Sequence, residues 1–433
     1  MNQYNIYKFT SIFLVIFAIF SYFLGFYYNE NAAGAGGTSG DFKIIYNNFQ
    51  IFLKNDIVTA INHPDYLDSR LPTSYIFHKL FNPFAIDEIS YRRSVFFISL
   101  MVPILFYFCL RHKFKKTENI ILVLLSSIIF LSPYFRTSSY WGLQENYGFI
   151  FLLLTFLTLF YIDKKNDKFI LNVYTKLFAL TFFSSLCIYF DQKLIIIPAI
   201  CFFKIILSNK LIKYKIFLTF CYFIFSLPYI YLIKVWGSLI PPAATTRSYS
   251  FVDGIYLDHF GYASTIIAFY LLPLLFFKSE KLISLFVQIF SNKKNYFLII
   301  FFLFYIFYLA VFYETQEKSL QGNGFIHKVS LLIFKDYLFR SIFIYFSFFI
   351  SWLIIIIYFN KEFKEYLILT YFFLLSIIIW PMYQEYFDPL IIVLAFTFFS
   401  SKIYPTYKNS IALFVYLLFF LFSANVYYVG LLN

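Results

Sequence analysis

The sequence predicts an all-α integral membrane protein that crosses the bilayer about 11–13 times and carries one long loop directly after its first span. Three observations lead there. Hydrophobic residues make up 61% of the 433 and charged residues only 13%, against about 25% charged in a soluble domain. Mean hydropathy is +0.73. Apolar runs such as 9–28, 216–233 and 343–359 approach the roughly 20 residues a helix needs to traverse hydrocarbon.

The first run is too long for the apolar segment of a cleavable signal and lacks a small-x-small site before Asn29, so it reads as a retained span. Short basic clusters then recur at 111–116 ("RHKFKK"), 164–168 ("KKNDK"), 210–215, 278–294, 361–364 and 402–408. Short Lys/Arg-rich loops stay in the cytoplasm, which puts the N-terminus inside and the C-terminus outside. The segments near 120–133 and 366–400 are short or broken by proline, which makes the count of spans less sharp than their orientation. The excess of Phe, Ile, Tyr, Lys and Asn matches AT-rich coding. The net charge of +13 is therefore read by its placement, and it does not imply a nucleic-acid partner. Cys109, Cys187, Cys201 and Cys221 all lie in apolar runs with no paired spacing and read as small buried hydrophobes.

The orientation sorts the longer polar segments to the opposite face: 29–93, 134–146, 235–262, 313–340 and 381–389. In "FKIIYNNFQIFLKNDI" (42–57), Ile44, Ile45, Phe49, Phe52 and Leu53 recur at helical spacing, the pattern of an amphipathic helix on a membrane surface. A second such helix is expected over 73–84 ("TSYIFHKLFNPF"), and a third, on the cytoplasmic side, over 278–290. There is no internal repeat, so 1–433 reads as a single polytopic domain with its active residues expected in the 29–93 loop.

Four of the 13 glycines fall within "GAGGTSGD" (34–41), just before Asp41 and the expected 42–55 helix. Glycines permit sharp turns and close backbone approach, and successive N–H groups can cradle an anion. Asp41 is then either a helix cap or an acid turned toward a cleft. The same loop holds His63, Asp65, Asp68, Arg70 and His78. The outer segment "SPYFRTSSYWGLQENYGF" (132–149) gathers Arg136, Tyr140, Trp141, Gln144, Glu145 and Asn146. A buried Glu145 needs a cation, and Arg136 is the nearest in sequence. Tyr140 and Trp141 fit either a sugar-stacking platform or an interfacial aromatic belt. In "YQEYFDPL" (383–390), Gln384, Glu385 and Asp388 occupy a short outer turn; turn chemistry accounts for Asp388-Pro389, and Glu385 is a candidate to enter a cleft. "QGNGFIHK" (321–328) offers a flexible segment with His327 and Lys328.

This arrangement resembles the GT-C superfamily of membrane glycosyltransferases, which use polyprenyl-phosphate-linked sugars as donors. The resemblance rests on Asp41 shortly after the first span, the segment "SRLPTSYIFHKLFNP" (69–83) before the second, and the late "YQEYFDPL". The chain departs from that pattern in having no adjacent acidic pair early in the first outer loop, which leaves Asp41, Asp65 and Asp68 as rival acids. The resemblance implies a sugar moved from a polyprenyl-phosphate donor to a glycan or lipid acceptor, within membrane lipids and on the extracytoplasmic side of the inner membrane. Asp41 would take the acceptor's proton. Arg70, Arg136 or the Arg92–Arg93 pair would hold the departing phosphate, although arginines at span ends also snorkel to the interface. The resemblance also implies a divalent cation (Mg or Mn), for which His63 and His78 with Asp65 and Asp68 between them are candidates, although that spacing is not diagnostic. The alternatives are an O-antigen-type polysaccharide polymerase, whose large loop lies late in the chain and carries arginines, and a glycolipid flippase or transporter, which places charges within paired, broken spans.

Overall fold

The computed structural model describes residues 2–32, 38–68, 70–162, 170–239, 241, 255–278, 284, 287, 293–313, 322–359, 363–379, 381–399 and 402–428. All regular structure among them is helical. Nine helices are long and apolar enough to cross a membrane, or ten if the bent pair Asn119–Leu131 and Pro133–Tyr140 forms one broken span. This confirms a polytopic architecture with fewer full-length spans, among the described residues, than the 11–13 expected.

The difference has a local cause. The apolar stretch after Glu118 runs as a helix only to Ser127, tightens into a 3-10 turn over Ile128–Leu131, and bends by 66° at Ser132–Pro133. Ser132 caps the new direction by accepting from the Phe135 N–H at 3.0 Å, and Pro133 sits at the first position, where its missing N–H costs nothing. In the 366–400 region, Phe363–Ile378 is followed by a turn with Pro381 and Pro389, then by Leu390–Thr397, an eight-residue helix buried on all sides. A short helix that is apolar all round belongs inside a bundle, and here it does not cross one.

The long helices alternate in direction, so their connections separate into two ends. At one end Tyr4 and Tyr407 both donate to Glu118 at 2.8 Å, Lys113 donates to the carbonyl of Phe399 at 2.6 Å, and Tyr404 N–H bonds to Phe277 at 2.7 Å. The described connections of the basic clusters lie here. At the other end Tyr256 N–H reaches Ile377 at 2.9 Å, Asn323 N–H reaches Met382 at 2.7 Å, and Trp236 Nε1 reaches Ile61 at 3.2 Å. Among the described residues, the partition of basic and polar loops inferred from the sequence is thus the partition in space.

The first long loop is a packed layer over that second end. Its helix Thr38–Lys54 is amphipathic as expected, but the apolar stripe turns into protein: Phe42, Ile45, Phe49 and Phe52 are buried, while Leu53 is exposed and Ile44 half-buried. Phe49 packs on Tyr91 at 5.0 Å and on His78 at 5.9 Å, and Phe52 stacks on Tyr75 at 5.4 Å. The tyrosines and His78 of the same loop supply the apolar partner that a membrane surface was expected to supply. Helix Thr73–Phe81 forms where expected. The third expected amphipathic helix, 278–290, lies outside the described residues apart from 278, 284 and 287.

Candidate functional site

Between this layer and the helix ends lies a small polar cleft that opens to the surface. It is lined by Asp41, Arg70, Glu145, Lys193, Glu385 and Asp388, with Tyr134, Ser138 and Asn146 among the uncharged walls. Five separate stretches of chain therefore contribute charge to one space.

Asp41 arrives at the rim from the first turn of Thr38–Lys54. The helix starts at Thr38, earlier than the sequence suggests, so Asp41 lies inside it and not ahead of it. Gly34, Gly36 and Gly37 of the glycine run lie outside the described residues. A carboxylate in a first helical turn is favoured by the exposed N–H groups there, and its side chain is exposed toward the cleft mouth.

Arg70 forms the inner wall. Its Nε and one terminal nitrogen meet Glu145 Oε1 at 3.3 and 3.2 Å, and the other terminal nitrogen lies 3.5 Å from Asp68 Oδ1. Asp68 also accepts the Arg70 N–H at 3.0 Å and the Tyr75 hydroxyl. Burial alone would lower the affinity of Arg70 for its proton, but Glu145, Asp68 and Asp41 outweigh it and hold the guanidinium charged. The expected Arg136–Glu145 pair does not form. Glu145 pairs with Arg70, 75 residues away in the chain.

Lys193 enters from a turn that the sequence reading passed over. Asp191 ends Ile170–Phe190 and caps the 3-10 turn Gln192–Ile195, accepting the Lys193 N–H at 3.1 Å. The turn lies hard against Glu145–Ile162 because residue 148 is glycine. A Cβ there would be 2.7 Å from Asp191 Cβ. The Lys193 ammonium is 3.5 Å from Asp191 Oδ2 and 5.2 Å from the centre of the Tyr386 ring.

Glu385 and Asp388 come from the turn before Leu390–Thr397. Burial first, then the nearby Glu145 and Asp41, push the Glu385 carboxyl up to about 7, although Lys193 and Arg70 pull the other way. Burial likewise raises Asp388 to about 7, moderated by the Ser132 hydroxyl, which donates to it at 2.5 Å. The cleft thus combines the rim acid Asp41, Glu145 paired with Arg70, two acids that change charge near neutrality, and the cations Arg70 and Lys193.

Other residues singled out from the sequence serve the frame. Arg136 is buried and fully engaged: it pairs with Glu30, donates to Ser21 Oγ at 3.0 Å and to its carbonyl at 2.9 Å, and to Phe130 O at 3.1 Å. That leaves it no donor for a phosphate. Tyr140 is fully buried, with its hydroxyl on Tyr22 O at 2.7 Å. Trp141 Nε1 donates to Glu30 O at 2.9 Å, and Arg92 lies over its ring at 4.1 Å. Neither ring faces the cleft. Gln384 ties Tyr270 and the Phe325 N–H at 3.0 and 2.7 Å. His63 lies 3.8 Å from Asp65 on the outer surface, whereas His78 is buried against Tyr147 Oη at 2.9 Å and held neutral, its protonation lowered to about 3 by burial. These groups do not converge, and among the described residues no group of three or more His, Cys, Asp or Glu could hold a metal ion. His327 is buried in Gly324–Ile333, and Lys328 lies 5.7 Å over the Tyr427 ring.

Of the candidates, Asp41, Arg70, Glu145 and Glu385 meet in one cleft, while Arg136, Tyr140, Trp141, His63, Asp65 and Gln384 lie elsewhere. Lys193 was missed, and Asp388, expected only to form an Asp-Pro turn, also lines the cleft. A lysine two residues beyond an aspartate at the end of an apolar run was the available signal for the first. Compared with protein families, curated proteins and solved structures, the chain matches none.

Proposed function

We propose that this membrane protein is a glycosyltransferase of the GT-C kind, which moves a sugar from a polyprenyl-phosphate donor to a hydroxyl of a glycan or lipid acceptor. The observation that carries the reading is the cleft itself. An exposed acid and two half-buried cations share one water-accessible space at the end of a bundle otherwise apolar along its spans. Charges within spans, as a transporter would need, are few, and the polar groups gather at this end.

In this reading Asp41, at the mouth, accepts the proton as the acceptor oxygen attacks the anomeric carbon. The bond from that carbon to the phosphate oxygen breaks, and the electron pair leaves with the phosphate. Arg70 and Lys193 supply positive charge to the departing group. Glu145 orients Arg70, and protonated Glu385 keeps a further negative charge out of the anion's surroundings. The cleft faces the extracytoplasmic side, opposite the basic clusters.

The test is transfer of sugar from a polyprenyl-phosphate donor by purified protein in detergent. Asp41→Asn keeps shape and removes the base, so the rate should fall by about 10²–10⁴ with an unchanged melting temperature. A wild-type rate in that variant would remove Asp41 from the chemistry. An inactive wild type with every polyprenyl sugar tried, alongside intact folding, would remove the proposal.

A further inference from the structure

We infer that Lys193 is the cation that takes hold of a lipid-borne phosphate in the cleft, exchanging Asp191 for the ligand, while Arg70 remains locked in its carboxylates. This rests on the phosphate-donor reading above and assigns its binding residue.

The two cations differ in what already holds them. All three nitrogens of the Arg70 guanidinium face carboxylate oxygens, on Glu145 and Asp68. A planar fork so engaged has little to offer a third anion. An ammonium has three rotatable donors. Among the described residues Lys193 has one carboxylate within ion-pair reach, Asp191 at 3.5 Å, which is longer than a charge-assisted hydrogen bond of about 2.7–2.9 Å. Its ammonium also lies against the face of the Tyr386 ring, 5.2 Å from the centre.

The lysine's base is fixed, while its tip is held by one long ion pair and a ring face. Its N–H is capped by Asp191, its carbonyl accepts from Tyr371 at 3.3 Å, and the turn rests on Gly148. A flexible four-carbon stem on a fixed base can swing between Asp191 and the cleft without moving the backbone. The charges that face it are Asp191 on its own turn, Glu145 and Arg70 across the cleft, and Glu385 from the turn before Leu390–Thr397. An anion entering here meets carboxylates as well, so it binds only where a cation can come to it. Lys193 is the one built to move.

The experiment is calorimetric titration of the full-length protein in dodecyl maltoside with dodecyl phosphate, and separately with inorganic phosphate. Removing Lys193 alone leaves Asp191 buried without its cation, so the informative variant is the double Asp191→Asn, Lys193→Met, checked for an unchanged melting temperature. It should bind dodecyl phosphate on the order of tenfold more weakly or worse, the loss of one charged hydrogen bond. Lys193→Arg should retain most of the affinity, and Asp191→Asn alone should bind at least as tightly as wild type because the lysine's competitor has lost its charge. Wild-type affinity in the double variant overturns the role of Lys193 and leaves the function standing. A wild-type protein that binds neither probe overturns both. Tight binding of dodecyl phosphate with weak binding of inorganic phosphate assigns the ligand to a lipid headgroup, and equal binding assigns it to free phosphate and overturns the lipid source.

Discussion

Glu385 is the residue whose charge the cleft controls most directly. Its proton affinity rises from the ordinary glutamate value to about 7, through burial and the neighbouring Glu145 and Asp41. Because the acid's affinity is raised, it is neutral in the fold below about 7 and gains a negative charge as pH climbs through that value. The added charge faces the space where an anionic donor is proposed to bind, so affinity for a phosphodiester should fall across that window. A phosphodiester carries no titrating proton of its own there. Glu385→Gln should flatten the alkaline limb of a binding profile measured from pH 5.5 to 8.5. A persisting limb would assign the titration to another group, with Asp388 the next to examine. Folding stability carries the same sign. A raised acid favours the native state until the unfolded chain's lower value is passed, and stability is lost between that value and about 7.

At the scale of elements, the decisive contact is between the Gln192–Ile195 turn and Glu145–Ile162. The sequence around 191–193 is short, polar and easily dismissed as a span end, yet Gly148 lets it settle within van der Waals reach of the neighbouring helix. Gly148→Ala would bring its Cβ to 2.7 Å from Asp191 Cβ, so the turn must move. Overpacking of this kind costs about 1–3 kcal/mol. A lowered melting temperature together with weaker dodecyl phosphate binding is expected. Lowered stability with unchanged binding would mean that the turn's position does not govern the cleft. The bend at Ser132–Pro133 was legible from sequence as an interruption, but its angle was not. It arises because Ser132 both caps the following helix and donates to Asp388, a residue 256 positions away.

Across the whole molecule, the buried Arg136–Glu30 pair ties three regions together. Glu30 follows the first span, Arg136 lies in the bent segment, and Asn425 of the last helix donates to Glu30 at 3.3 Å. Tyr140 and Trp141, proposed from sequence as sugar-stacking rings, close the same strut. Removing one member of a buried pair strands the other charge, at a cost of about 3–5 kcal/mol. Arg136→Met should therefore cut thermal stability sharply, and adding Glu30→Gln should restore much of it, measured as melting temperatures of the purified variants. An Arg136→Met protein as stable as wild type would show that the pair carries little of the fold.

Composition and charge placement determined by themselves that this chain is a helical membrane protein, and which loops share an end, because bilayer thickness and loop charge act on local stretches of sequence. Hydrophobic spacing likewise located the helix over 38–54 and the one over 73–81 within about one turn. Only the tertiary structure decided which acid meets which cation. Glu145 chose Arg70 over Arg136, which is only nine positions away in the chain, because helix packing, and not nearness in sequence, brings side chains within the few ångströms over which buried charges pair. The same physics turned the loop's apolar stripe inward: His78, Tyr75 and Tyr91 came to lie beside it, and no local pattern reports what a stripe will find to cover it.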